Sequence, residues 1–272
     1  MKKFIALLIG IISFSVMLNA QSDDQQLTRK EKSQKRKDKI NELIKEEEEG
    51  AMIFHKQSIF GFKLNTDGWG LMYEHGRYKT ITKTNIWWLD LGEHKNSKQD
   101  KTTASSSSGF AVGNPYVFGK ENNFYYLKFG VGSQFLIGGK GNKNGVAVSL
   151  IYGGGLSLGM LKPYYLQIIN PTTNEVQDIK YNNNNDSLFL NQNVILGSSA
   201  FGKGFGDIKY VPGFHGRLAL RFDYGRYNRV VSAIEAGINF EYYADKMPIM
   251  VYNAAHHGTF NGYIAIEFGN RK

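Results

Sequence analysis

Between Val146 and Met160 the apolar side chains recur at every second position. Val146, Val148, Leu150, Tyr152, Leu156, Leu158 and Met160 share one parity, and Ala147, Ser149, Gly153, Gly155, Ser157 and Gly159 share the other. A period of two belongs to a β-strand, because successive side chains on an extended chain point to opposite faces. Strands in soluble domains are most often about 5–6 residues long, whereas a tilted strand that crosses a bilayer needs about 9–11. The length of this segment therefore predicts a transmembrane strand.

Seven further segments alternate in the same way: Gln57–Asn65, Trp69–Tyr78, Thr84–Gly92, Phe124–Ile137, His215–Tyr224, Ser232–Tyr243 and Phe260–Phe268. The bulky parity carries Phe60, Phe62 and Leu64 in Gln57–Asn65 and Leu218, Leu220 and Phe222 in His215–Tyr224. The opposite parity carries Lys63, Glu74, Asp90, Lys128, Arg217, Arg221, Asp223, Glu235, Glu241 and Glu267. The expected fold class is all-β: an eight-stranded antiparallel up-and-down transmembrane β-barrel, apolar parity toward lipid, with a charged N-terminal periplasmic segment. Opposite charges in so narrow a lumen are expected to pair, since an unpaired buried charge costs several kcal/mol. Thr66-Asp67-Gly68 reads as a tight hairpin turn. Two long polar stretches, 93–123 and 170–214, read as outer loops. Trp69, Trp87, Tyr125, Tyr224 and Tyr242, near strand ends, suit the headgroup girdles.

The N-terminus differs in kind. Lys2 and Lys3 precede an apolar run from Phe4 to Leu18, with Asn19 and Ala20 before Gln21. This reads as a signal peptide over 1–20, cleaved near Ala20 and too short for an anchor. Residues 21–56 form a charged arm, basic from Arg29 to Lys39 and acidic at Glu42 and Glu46–Glu49. Such a segment is a periplasmic helix or a disordered tail, and Ile40, Leu43 and Ile44 offer a short apolar docking patch. Residues 57–272 form the barrel domain. The formal charge of +9 falls to about +7 without the two signal lysines. For an exported chain that balance points to outer-membrane lipid and lipopolysaccharide as partners and not to nucleic acid. With Cys 0 in the composition, disulfides and thiolate chemistry are excluded.

Several short runs carry a resemblance. Lys63-Leu-Asn-Thr-Asp-Gly-Trp-Gly70, Tyr152-Gly-Gly-Gly155, Lys162-Pro163-Tyr164-Tyr165, Phe201-Gly-Lys-Gly-Phe205 with Pro212-Gly213, and Lys246-Met-Pro-Ile-Met250 resemble a family of uncharacterised outer-membrane β-barrel proteins from Bacteroidota. More loosely, the architecture is similar to the small barrels of the OmpA and OmpX type. The resemblance implies a barrel and assigns no reaction, cofactor or catalytic residue.

The residues themselves supply little chemistry. His215 is expected at the start of the sixth strand and His256 and His257 in the last outer loop, with Ser198, Ser199 and Ser232 as the serines weighed against them. No GxSxG-type motif frames those serines, and surface histidines are the plainer reading. Adjacent residues on an extended chain point to opposite sides, so His256-His257 makes a poor metal pair. Gly153–Gly155 reads as a barrel kink and Gly138-Gly-Lys-Gly141 as a turn, not as phosphate loops. Catalytic, cofactor-binding and metal residues are therefore expected to be none, and no cofactor is expected. The favoured function is a non-enzymatic structural or accessory subunit of a larger envelope complex for assembly, transport or secretion. Its protein partners would bind through 21–50 and the loops 93–123 and 170–214. A lipid-modifying hydrolase and a narrow ion pore are the alternatives.

Overall fold

The computed structural model describes residues 33–35, 37–38, 54–105, 111–141, 145–182, 184–226 and 229–272. The chain divides into two units, 1–53 and 54–272. In the first unit, residues 33–35 and 37–38 are helical and exposed. The expected signal peptide at 1–20 and the rest of the arm through residue 53 lie outside the described residues.

The second unit is built on eight long strands: β1 (Lys56–Asn65), β2 (Gly68–Tyr78), β3 (Lys83–His94), β6 (Asn122–Gly138), β7 (Ala147–Pro163), β11 (Lys209–Asp223), β12 (Val230–Met247) and β13 (His256–Arg271). Each pairs antiparallel with the next in sequence, and β13 pairs with β1, closing an up-and-down barrel. Hydrogen-bonded partners followed round the wall run Lys56, Arg77, Asn85, Ser133, Tyr152, Leu218, Ile238 and Gly262. Gly262 then accepts a hydrogen bond from Thr66 N. The circuit thus returns to β1 ten residues higher, the stagger that gives a closed eight-stranded sheet its tilt.

The parity expected for each strand holds. Phe60, Leu64, Phe129, Leu156, Leu218, Ile238 and Ile264 face outward and are exposed, while all ten charged residues of the opposite parity are buried. Water would reverse that distribution; hydrocarbon requires it, because strands satisfy every backbone group in a bilayer only as a closed sheet, and only apolar side chains suit its outside. The chain is a transmembrane β-barrel. None of the described helices is long and apolar enough to cross a membrane.

Glycines on the inward parity clear space for two large inward rings. A Cβ on Gly130 or Gly153 would overlap the Trp88 indole, one on Gly132 would strike the Tyr152 carbonyl oxygen and crowd that indole, and one on Gly70 or Gly92 would meet the Tyr126 hydroxyl. The pair Gly153 and Gly155 therefore serves close packing of side chain and backbone more than a kink.

At the end carrying residues 56 and 271, the connections 79–82, 139–146 and 224–229 are short. At the opposite end, β1 and β2 are joined by Thr66 and Asp67 alone, and two long connections fold up. The stretches 93–123 and 170–214, expected as plain polar loops, contain strands of their own: β4 (Lys101–Ser105) and β5 (Ala111–Val117) in the first and β9 (Val176–Lys180) and β10 (Ile195–Ser198) in the second, with β8 (Tyr165–Ile169) just ahead of it. β7 breaks at Tyr164, beyond which β8 turns away to pair with β9 and β10. β11 begins at Lys209, six residues before His215.

Candidate functional site: a plugged lumen beneath a folded cap

The lumen is filled in layers, beginning with a guanidinium–carboxylate network. Arg221 donates from Nη1 to Glu74 Oε1 at 2.7 Å and from Nη2 to Glu235 Oε2 at 2.9 Å, and its Nε lies 2.6 Å from Glu267 Oε2. Arg217 pairs with Glu235, donates to the Tyr263 hydroxyl at 2.8 Å and lies over the Trp88 ring at 5.2 Å. Planar guanidinium groups suit this role because one fork can serve several carboxylates at once. Toward the chain ends, Arg271 joins Asp223 at 2.6 Å and Tyr78 at 2.8 Å.

Toward the cap lies a second network. Lys63 reaches Asp90 at 2.5 Å, and Lys128 pairs with Glu241. Glu241 also meets His94 Nε2 at 3.1 Å and accepts from the Tyr243 hydroxyl at 2.6 Å. On the other side of the ring, His94 Nδ1 is 2.8 Å from Asp67 Oδ2, a close charge contact whose direction lies off the N–H axis. Above this network Phe124, Tyr126, Leu161, Val211, Tyr243 and Met247 pack into an apolar plug with Ile249 against it. Eight strands enclose just enough room for side chains, and here salt bridges and aromatic rings take that room.

The cap has a core of its own. Tyr116, Leu166, Ile168, Phe189 and Ile195 are buried together, with Phe118, Tyr164 and Val251 packed around them. β10 crosses close to β5: Ser198 Oγ donates to Pro115 O at 2.8 Å, and a Cβ on Gly197 would strike the Asn114 backbone. The asparagine-rich run closes a turn, since Asn182 Oδ1 accepts from the amides of Asn184 and Asn185 at 2.9 Å each. The last connection is tied in through Val251 N to Gly119 O and Glu121 N to Ile249 O. At this junction lies Lys120, whose Nζ donates to Gln99 Oε1 at 3.1 Å. Burial, with Lys95 and Lys101 nearby, pulls its ammonium down to about 8, against the opposing pull of Glu93.

The histidines stand elsewhere than expected. His215 is neither at a strand start nor on the surface; it is buried in mid-β11, edge-on to Trp88, because the strand extends beyond its alternating stretch. His256 and His257 open β13 instead of lying in a loop, and His257 stacks on Tyr242. Ser198 and Ser199 belong to the cap and Ser232 to β12, none within hydrogen-bonding distance of these histidines among the described residues. The serine beside His215 is Ser157, Oγ to Nδ1 3.0 Å, inside the filled lumen, and His215 Nε2 has no partner there. Such a pair lacks both an orienting acid and access for a substrate. His94 was missed by the sequence reading, although it continues the inward parity of Trp88, Asp90 and Gly92. The sequence marks Asp67 only as a turn residue. Among the described residues, no cluster of three or more His, Cys, Asp or Glu side chains could hold a metal ion.

No family model and no curated protein sequence matches the chain. Solved structures with a similar outline include the attachment invasion locus protein Ail of Yersinia pestis in complex with the heparin analogue sucrose octasulfate, at 10% identity and TM-score 0.37 over 80% of this chain and 99% of that one. Neisserial surface protein A is similar at 9% identity and TM-score 0.39, covering 80% and 97%. The N-terminal β-barrel domain of Pseudomonas aeruginosa OprF is similar at 9% and 0.35, covering 79% and 96%. The fold assigned here rests on the chain's own strand pairing and stagger.

Proposed function

We propose that this is an outer-membrane protein serving as a non-enzymatic structural or accessory subunit of a larger envelope assembly, and that its working surfaces are the cap and the N-terminal arm. The observation that carries this reading is the filled lumen. A barrel whose interior is closed by ion networks and an apolar plug has nothing to conduct, so its contribution lies in what it holds outside. In this reading the signal peptide is cleaved near Ala20, both chain termini lie in the periplasm, and the cap stands on the far side beside lipopolysaccharide. A pre-ordered cap suits recognition, because a partner need not bear the entropy of ordering those loops.

Affinity purification of the full chain from gently solubilised membranes tests the proposal. Stoichiometric co-purification of envelope proteins, lost when the cap or residues 21–50 are deleted, is the expected result. Recovery of the barrel alone from intact and deleted chains alike would overturn it.

A further inference from the structure

The apolar outer belt is notched where β1, β2, β3 and β6 run side by side. On β1, β2, β3 and β6, near the end where β1 begins, the outward side chains Lys56, His75, Arg77, Asn85 and Ser133 line an open groove of about 690 Å³. Trp87 and Val131 supply its apolar wall. The strand register sets these groups side by side: Lys56 is opposite Arg77, Arg77 opposite Asn85, and Asn85 opposite Ser133. One rung higher, Ser58 Oγ lies 3.0 Å from His75 Nδ1, and the His75 ring leans on Trp87 at 5.7 Å.

With the ten-residue stagger taken into account, His75 and Ser133 stand about level with Leu220 and Ile266, so the polar lining reaches into the belt instead of ending below it. No carboxylate lines the groove. Neither Lys56 nor Arg77 makes an ion pair with any described residue, whereas the lumen's cations are all matched with acids. A cation facing lipid at this depth needs an anion, and the bilayer offers one chemistry at this height: the phosphodiester of a lipid headgroup.

We propose that this groove holds an anionic glycerophospholipid of the leaflet on the side of the β1 start. The phosphodiester sits between Lys56 and Arg77, Asn85 and Ser133 hydrogen-bond the headgroup, and an acyl chain lies over Trp87 and Val131. Two cations that make no ion pair with any described residue favour a headgroup of net negative charge over a zwitterionic one. The inference rests on the transmembrane reading but not on the proposed accessory role.

Native mass spectrometry of the full chain, released from nanodiscs of phosphatidylglycerol or of phosphatidylcholine, tests it. The Lys56→Gln/Arg77→Gln variant is compared with a Lys98→Gln/Lys101→Gln control, which removes equal charge from the cap side. Wild type and control should each retain one phosphatidylglycerol, and the groove variant should need roughly tenfold more lipid or above for equal occupancy. Millimolar inorganic phosphate should not displace the lipid. Equal retention by the groove variant, equal retention of phosphatidylcholine, or displacement by free phosphate would each overturn the site while leaving the barrel's membrane placement intact. Failure of all three proteins to enter nanodiscs as folded barrels would overturn that placement and the site with it.

Discussion

In the barrel, Arg221 and Glu235 are buried while Leu218 and Ile264 face outward; in the cap, Phe189 and Leu166 are buried while Lys203 and Asp207 face outward. One chain thus packs two interiors of opposite chemistry a few residues apart. Both use strands with alternating faces, so the backbone rule is common to them and the surroundings decide which face turns in. In water the cap gains by hiding apolar area. In hydrocarbon the outward leucines lose nothing by exposure, and the barrel must instead gather its polar groups where they can bond to one another. The contrast also separates two kinds of fragility: a charge network fails when one partner is removed, and an apolar core fails when volume is removed.

Removing one partner should have the largest effect. Arg221→Met leaves Glu74, Glu235 and Glu267 facing each other with Arg217 as the nearest remaining guanidinium. A loss of about 3–5 kcal/mol is expected, as for other broken buried pairs. Urea unfolding of the protein in lipid vesicles, followed by tryptophan fluorescence, measures it. A loss below about 1 kcal/mol would mean that the network does not govern barrel stability.

Removing volume from the cap should act locally. Phe189→Ala empties a fully buried site among Tyr116, Leu166, Ile168 and Ile195. It should cost the cap about 3–5 kcal/mol while the barrel's unfolding midpoint stays put. Limited proteolysis should then cut within 164–208 and leave β11 to β13 intact. Simultaneous loss of both regions would show that cap and barrel fold as one body and would dissolve the comparison.

The smallest effect lies where the two meet. The fold disfavours the charged form of Lys120, since its group titrates near 8 instead of near 10.5. The cap therefore carries that cost below about pH 8 and is relieved of it as the pH climbs from there toward the ordinary lysine value. Resistance of the cap to proteolysis, corrected for protease activity, should rise between pH 7 and 9.5 in the wild type and be flat in Lys120→Met. A slope of the opposite sign would contradict the burial assigned to this ammonium.

The barrel was legible in the sequence because its signal is local and repeated. Each of β1, β2, β3, β6, β7, β11, β12 and β13 alternates over most of its length, and Lys63 between Phe62 and Leu64 declares its face without any knowledge of its neighbours. The lumen's salt bridges followed from that parity as a set, though not their pairing: Arg221 meets Glu74 across 147 positions, a closeness that only closure of the sheet creates. His94 carried the same parity signal just past the point where the strand was taken to end. The cap was illegible for the opposite reason. Its strands are four to seven residues long, too short for a period to stand out, and its core joins Tyr116 to Phe189 across a membrane strand pair. The lipid groove was hidden because Lys56, His75, Arg77, Asn85 and Ser133 come from four strands, and each alone is an ordinary rim residue.

The pairing of β1 with β13 fixes an order of events as well as a shape. Hydrogen bonds from His55 and Lys56 to the carbonyl of Lys272, with the register from Gln57↔Arg271 to Asn65↔Tyr263, make the first and last strands a single seam. Until that seam forms, both of its strands present bare amides and carbonyls that hydrocarbon cannot tolerate. Any portion of the wall laid down alone in the bilayer therefore carries the cost of an unpaired edge until the remainder arrives. The polypeptide has to be kept from collapsing in water until every strand is on hand, and then enter as a whole.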